Sequence, residues 1–526
     1  MTAPIDILQL ANQVQSDLVG GGLPPAVAKL YSQHTRLRAN RPGLLGWRQD
    51  EAAGRLHDAS RLIEAALIGR ETGTIGWRGG MRRAGELLEW LSHPSLNPSR
   101  IPMRLLAAAA YQLAGFPARS AGLLEESKRN EQGDEAESEL LGELLAADFP
   151  SLLHGLCNYW SKAADPAQLD GINRTIVAET ASALGVLCAS MRWADESRLA
   201  RALAKLESVS RVVLHGGDPY SWLLARLCAL VAAEYVGSAL RHYLTPLLNG
   251  VDDSGRAALE RYARQSYRTR RALAWPSQTQ GIDRLTGLTS FALCTPTGSG
   301  KTTIAEIAIL QSLFPAVASV PDQDDAPTSA PLAMYLVPSR ALAAEVEAKL
   351  ERVLRRLTDK PVRVTGLYGG IDWGPTDAWL SATERTVLIC TYEKADALLR
   401  FLGPLFVNRI ALLVIDEAHT VQAGRDTSGL QSGDSRALRL ESLGTRLMTH
   451  LDARRGRVIA LSAVAAGSGE ALASWVSGHD HARPVVTAYR STKPKRRWDL
   501  HGRLRMRLRR GNDDSRGQGL QRAAAA

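Results

Sequence analysis

The chain has 526 residues, of which 45% are apolar and 22% charged, with five cysteines and a net charge of +10. That length exceeds what one hydrophobic core usually serves, so more than one globular domain is expected. No run of 18 or more apolar residues occurs and the first residues lack a basic-then-apolar leader, so neither a membrane-spanning helix nor a secretion signal is expected. Cys157, Cys188, Cys228, Cys294 and Cys390 form no C-x-x-C pair, which excludes the usual zinc and iron–sulfur spacings and fits buried thiols in a reducing, cytoplasmic setting.

Residues 1–270 read as helical throughout, with Ala, Leu, Arg and Glu at helical spacing in residues 48–68 and 199–212. Residues 102–130 read as a helical hairpin. Leu105, Leu106, Ala109 and Leu113 make one stripe, Gly115 ends the first helix, Pro117 opens the second, and Ala121, Leu123 and Leu124 continue the packing. Gly216-Gly217-Asp218-Pro219 is a loop. No repeat period is convincing, so the expectation is a helical accessory domain, with Trp47, Trp77 and Trp90 in its core.

From residue 271 to about 490 the pattern changes to short β-rich runs alternating with helices, which predicts one doubly wound α/β domain. Phe291-Ala292-Leu293 precedes Thr295-Pro296-Thr297-Gly298-Ser299-Gly300-Lys301-Thr302-Thr303, and an apolar helical segment from Ile304 follows. A strand, a glycine-rich turn and a helix in that order make a phosphate-binding loop. Gly298 and Gly300 let backbone N–H groups converge on one point, where the helix N-terminus also favours anions. Lys301 would reach the β- and γ-phosphates and the Thr302 hydroxyl would ligate Mg²⁺. Thr295 stands where the general pattern has its first glycine. Further on, the apolar run Ile410-Ala411-Leu412-Leu413-Val414-Ile415 has the character of a strand buried on both faces and delivers Asp416-Glu417-Ala418-His419 at its carboxyl end, where open α/β sheets bind ligands. Asp416 is placed to hold Mg²⁺, and Glu417 to orient and deprotonate an attacking water. Two polar insertions, residues 318–331 and 422–435, read as loops.

With these two motifs the chain resembles the superfamily 2 DEAD/DEAH-box helicases, whose phosphate loop commonly has Ala or Thr at the place of Thr295. Further segments follow in the family's order. Pro338-Ser339-Arg340-Ala341-Leu342 resembles motif Ia, Thr391-Tyr392-Glu393-Lys394 a later strand-contacting motif, and Ser462-Ala463-Val464 motif III, which usually reads Ser-Ala-Thr. Pro276-Ser277-Gln278 resembles the segment whose Gln reads adenine. The resemblance implies a RecA-like ATP-binding lobe that uses ATP and Mg²⁺ and binds single-stranded DNA or RNA. It implies coupling of the two sites through His419 and Ser462, and backbone contacts from Pro338, Arg340 and Thr391, which would position a strand without reading its sequence.

Residues 491–526 hold eleven Lys or Arg against three Asp, a net of +8, so the remainder of the chain is nearly neutral and its charge does not argue for nucleic acid. This segment has no apolar period and is expected to be a disordered basic tail. Helicases of this family close the ATP site with arginines from a second RecA-like lobe, and nothing in the sequence resembles that lobe. The expectation is therefore the ATP-binding lobe of a DEAH-type helicase or translocase, truncated before its second lobe, with either a separately encoded second lobe or another protein bound by the helical domain as its partner. The alternative is an ATP-binding interaction module with little turnover that acts on a partner protein through its helical half.

Overall fold

Helices build the first half of the chain because apolar residues recur there at 3.6-residue spacing. They are α1 Pro25–Arg38, α2 Gln49–Glu71, α3 Trp77–Leu91, α4 Met103–Leu113, α5 Pro117–Asn130, α6 Ala136–Leu145, α7 Phe149–Lys162, α8 Gly171–Trp193, α9 Leu199–Gly216 and α10 Pro219–Gly237. The structure, a computed structural model, describes residues 23–97, 101–130, 136–162, 171–287, 289–296, 298–316, 330–369, 384–403, 407–421, 435–452, 456–463, 469–486, 497–498 and 504–505. Thr297, Val464, most of the two polar insertions and most of residues 491–526 therefore lie outside the described residues.

The predicted hairpin is α4 and α5, with Gly115 at φ +83° between them, a backbone shape that only glycine takes without strain. The single apolar stripe expected on α4 is too narrow a reading. Leu106, Ala107, Ala108, Ala109, Ala110 and Tyr111 are all fully buried, so α4 is the centre of the bundle and is covered on every side. Its alanines let neighbouring helices approach closely. The predicted loop before α10 is a cap: Asp218 Oδ1 accepts from Tyr220 N at 2.9 Å and Ser221 N at 3.1 Å, with Pro219 in the first turn. Trp90 is buried, and Trp47 and Trp77 pack against the same apolar cluster. Cys188, Cys228, Cys294 and Cys390 are buried, and burial pushes the Cys188 thiol up to about 12; Cys157 is exposed.

The second half is a seven-stranded parallel sheet of β1 Phe291–Cys294, β2 Leu332–Val337, β3 Val362–Leu367, β4 Arg385–Thr391, β5 Ile410–Ile415, β6 Arg457–Ser462 and β7 Val485–Val486, in the order β3-β4-β2-β5-β6-β1-β7. Successive side chains face opposite sides. Phe291, Leu293, Tyr335, Val337, Leu412, Val414, Ile459 and Leu461 share one apolar cluster with α11 Leu240–Leu244, α12 Asp253–Arg268, α13 Pro276–Thr286, α14 Lys301–Leu313 and α15 Arg340–Leu357. Ala292, Cys294, Met334, Leu336, Leu413, Ile415, Val458 and Ala460 share the other with α16 Tyr392–Leu402, α17 Arg436–Asp452 and α18 Gly469–Ser477. This is the RecA-like α/β lobe that the resemblance implies, following a helical region.

Helix α12 belongs to both halves. Ala258, Leu259, Tyr262 and Ala263 lie in the sheet's cluster, whereas Tyr267 lies in the helical cluster and donates to Phe149 O at 3.2 Å. Asp148 pairs with Arg270 at 2.9 Å, and Ala239 bridges to Leu273. The described residues of Met1–Ser491 accordingly form one compact unit. In the separate unit Thr492–Ala526, Arg497–Trp498 and Leu504–Arg505 pair antiparallel. Among the described residues no helix is long and apolar enough to cross a membrane.

One buried cation holds α13 in place. The Arg457 guanidinium, at the start of β6, donates to Thr289 O at 3.2 Å, Leu285 O at 3.4 Å and Arg284 O at 2.6 Å, to Gln311 Oε1 at 3.2 Å and to Gly287 O. It thereby satisfies the last carbonyls of α13, which has no further turn to bond them. Burial lowers its pKa to about 10, so it remains charged at neutral pH. Replacing it with Ala takes this donor from the part-buried carbonyls of Arg284, Gly287 and Thr289, at about 1–3 kcal/mol each where no water reaches them, whereas Leu285 O keeps Gln311 Nε2 at 3.2 Å. Arg457→Ala is expected to destabilise the chain by about 3 kcal/mol or more in urea titration; a loss below about 1 kcal/mol would show that the cap is dispensable.

Candidate active site

A parallel sheet brings all its carboxyl strand ends to one edge, and the sequence motifs occupy that edge. β1 ends in the phosphate loop, β2 in Pro338-Ser339-Arg340, β4 in Thr391, β5 in Asp416-Glu417 and β6 in Ser462. The loop is braced from below. Thr295 and Ser299 are buried, with their hydroxyls 2.6 Å apart, and Thr295 N donates to Ser462 O at 3.1 Å. Ser462 is thus joined to the loop through its backbone. Gly298 and Gly300 have φ of +82° and +88°, and Gly300 caps α14 from that left-handed conformation. A Cβ on Gly300 would lie 2.3 Å from Gln278 Nε2, so the close approach of Gln278 requires glycine there. Gln278 Oε1 accepts from Trp275 N at 2.9 Å, and Ser277 Oγ donates to Ser299 O at 2.6 Å. The start of α13 therefore clasps the loop.

Lys301 Nζ donates to Thr295 O at 3.1 Å. Burial lowers its pKa, and the carboxylates of Glu417 and Asp416 oppose that shift. Thr302 is half-buried beside it, whereas Thr303 is buried in α14, on the side where α12 presents Tyr262. Pro296 is half-buried at the loop's start.

Asp416 is held by four contacts. Its N donates to Leu336 O at 2.9 Å, its carbonyl accepts from Tyr392 Oη at 2.7 Å, Oδ1 accepts from Glu417 N at 2.9 Å, and Oδ2 accepts from Tyr335 Oη at 3.0 Å. Burial raises its pKa. The Tyr335 and Glu417 donors pull it down, the Glu417 carboxylate pushes it up, and Lys301 lowers it. Glu417 has φ +49°, a left-handed conformation that costs a non-glycine residue about 1–2 kcal/mol. Its Oε2 is buried without a hydrogen bond and lies 3.2 Å from His419 Nδ1, which is equally unbonded. Strain and unsatisfied polar atoms at one point are features found at working sites.

Tyr335 and Tyr392 were not singled out from the sequence. The only signal was a tyrosine inside an apolar strand, whose hydroxyl must find a partner once buried. Along the rest of the edge, Arg340 is exposed at the start of α15, where Ser339 Oγ accepts from Leu342 N at 3.3 Å. Thr391 is buried at the end of β4. Arg436 links the two, donating to Pro338 O and pairing with Glu393 at 2.9 Å. Two left-handed glycines in a braced loop, a cation facing two carboxylates and an orphaned oxygen on Glu417 together fit a nucleotide phosphate, and Thr302 and Asp416 are the residues that could hold its Mg²⁺.

This fold and this site define a phosphate-loop nucleotide-binding lobe of the RecA type. Residues 275–468 match the family described as DEAD/DEAH box helicase, and the chain carries a domain of that family. Hachiman protein HamB of Bacillus cereus is 31% identical over 269 residues, which cover 51% of this chain and 21% of that protein. ATP-dependent DNA helicase Hel308 of Pyrococcus horikoshii is 32% identical over 201 residues, covering 38% and 22%. The chain thus spans about a fifth of the length of the curated relatives it matches. Among solved structures, Mycobacterium smegmatis helicase Lhr bound to ssDNA and AMP-PNP is 24% identical with a TM-score of 0.32, covering 45% of this chain and 27% of that one.

Two outcomes follow for Asp416. Its raised pKa means that the ionised carboxylate opposes folding at neutral pH: the contribution it makes below its unfolded pKa is lost as pH rises through the folded one. Asp416→Asn without nucleotide should therefore melt at or above the wild-type temperature at pH 7; a clearly lower melting temperature would contradict this. Tyr335→Phe removes a donor that holds the Asp416 pKa down. It should weaken Mg²⁺-dependent ATP binding by about 10- to 100-fold and move the acid-side loss of binding to higher pH, as read by nucleotide titration across pH.

Proposed function

We propose that this chain is the ATP-binding part of an ATP-dependent nucleic-acid motor of the DEAH type. In this reading residues 1–270 are a helical accessory region, 271–490 the motor lobe and 491–526 a basic tail. The observation that carries it is that the loop bearing Lys301, at the end of β1, and Asp416-Glu417, at the end of β5, lie at one carboxyl edge of the sheet on either side of β6. Family membership of residues 275–468 and likeness to proteins named as DNA helicases support it.

Residues of this chain take the following roles. The N–H groups of the loop and α14 bind the phosphate oxygens, and Lys301 leaves the Thr295 carbonyl to reach the β- and γ-phosphates. Gln278, held against Gly300, lies beside the adenine. Thr302 and Asp416 would hold Mg²⁺, which would offset the negative charge of the phosphates. Glu417, whose Oε2 makes no hydrogen bond and lies 3.2 Å from His419 Nδ1, orients a water in line with the γ-phosphorus and takes its proton as the new P–O bond forms and ADP departs. His419 and Ser462 transmit the state of the site towards Pro338, Arg340 and Thr391, which hold the backbone of single-stranded DNA or RNA.

Arginine from across the site is worth about 10³–10⁵ in rate in related hydrolases. The described residues contain one α/β lobe, and we assign that arginine to a second lobe or partner chain. The chain alone should accordingly hydrolyse ATP very slowly. A second reading, an ATP-binding module that acts on a protein partner through its helical half, rests on the same single lobe.

Steady-state ATPase with and without single-stranded DNA or RNA, with Glu417→Gln as the contamination control, separates the two. Slow turnover that rises with single strands and vanishes in Glu417→Gln supports the motor. Turnover that ignores nucleic acid supports the module. In a separate nucleotide titration, Lys301→Ala should lose about ten- to a hundredfold in ATP affinity, the worth of a charge-assisted hydrogen bond. Equal binding would remove the phosphate-loop assignment.

A further inference from the structure

Trp193 differs from the tryptophans of the helical core: it is 56% exposed. It is the last residue of α8, and Ala194 turns the chain away in a left-handed conformation at φ +58°. The Arg192 guanidinium lies 4.5 Å from the Trp193 ring centroid. Opposite, α12 presents Arg264 and Arg268, one helical turn apart on the same face and both exposed. These four residues line a cleft of about 260 Å³, on the scale of one mononucleotide, and among the described residues no carboxylate lines it.

The surrounding charges leave the cleft positive. Glu260 pairs with Arg264 at 3.1 Å and reaches Arg241 at 4.0 Å, and Arg241 also donates to Arg192 O at 3.3 Å. Arg192 and Arg268 have no carboxylate partner among the described residues. Three guanidiniums around one exposed indole form an unusual surface for a region whose body is nearly neutral. Its chemistry matches one kind of occupant: the indole offers a π-face to a flat ring, and the guanidiniums offer forked donors to a phosphate. In a duplex the base faces are already stacked, so the ring must come from an unpaired nucleotide.

We propose that Arg192, Trp193, Arg264 and Arg268 form a binding site for single-stranded nucleic acid on the helical region, additional to the edge of the α/β lobe. This goes beyond the motor reading and does not depend on it. The site also has a physical route to the nucleotide loop. On α12, Tyr262 donates to Glu306 Oε2 at 2.7 Å, on the helix that Lys301 begins. Arg268 lies six residues further along, about 9 Å of helical rise. A strand held at the cleft is therefore tied to a helix that bonds α14, the helix at whose start the loop lies.

The test is fluorescence anisotropy of the full chain with labelled oligothymidylate and oligouridylate of about 20 nucleotides, in the absence of ATP. Trp193→Ala, and separately Arg264→Gln with Arg268→Gln, should each weaken binding by about tenfold. The arginine pair should also make binding less sensitive to salt, because fewer counterions are released. Trp193→Phe should keep most of the affinity. Photo-crosslinking with a halogenated pyrimidine should place an adduct on the peptide containing Trp193. If both variants melt and bind like the wild type, and adducts fall only near Arg340 and Thr391, the cleft is not a nucleic-acid site although the motor reading stands. If the wild-type chain binds neither oligonucleotide, the proposal is overturned, while ATP binding that depends on Lys301 would still support the phosphate-loop assignment.

Discussion

Everything at the candidate site follows from burying a parallel sheet on both faces. The central strands are mostly apolar along their length, so their chemistry gathers where they end. That is why the phosphate loop, Asp416 and Glu417, Ser462, Arg340 and Thr391 reach one edge although they are scattered over more than a hundred residues of chain. The exception is informative. Tyr335 lies within β2, yet its hydroxyl reaches the end of the neighbouring β5 and binds Asp416. An apolar sheet thus delivers one polar group from inside its own core.

Such buried polar groups are costly unless paired, and here each pair joins two elements. Arg457 ties the end of α13 to β6. Glu306, almost wholly buried, accepts from Tyr262 on α12 and lies 3.0 Å from Lys349 Nζ on α15, so three helices meet at one carboxylate close behind the loop. Apolar packing alone would let these helices slide by small amounts. Directional bonds fix their register, which matters where a loop must hold phosphates to within a fraction of an ångström.

Much of this was legible in the sequence, for a physical reason. A phosphate loop and a strand-terminal acidic pair are built from neighbouring residues, so their spacing survives in the linear text. Apolar runs before Thr295 and Asp416 likewise announced β1 and β5. Contacts between distant residues left no such trace. Tyr335 read as an ordinary residue of an apolar strand, and Tyr392 only as part of a strand-contacting motif, until Asp416 was folded beside them. The stripe on α4 underestimated its burial, because periodicity tells which faces are apolar and not how many neighbours a helix has. For α12 the period announced a helix, and only folding shows that its two ends serve different cores.

That divided allegiance of α12 bears on how such a protein can change over generations. Where two domains meet at a polar linker, recombination can exchange one for another like a cassette. Here a breakpoint near residue 270 would take away Leu259 and Tyr262, the cover of the sheet, along with the helical region. The helical half and the lobe are therefore bound to be inherited together, and any new partner acquired by the one must be accommodated by the other.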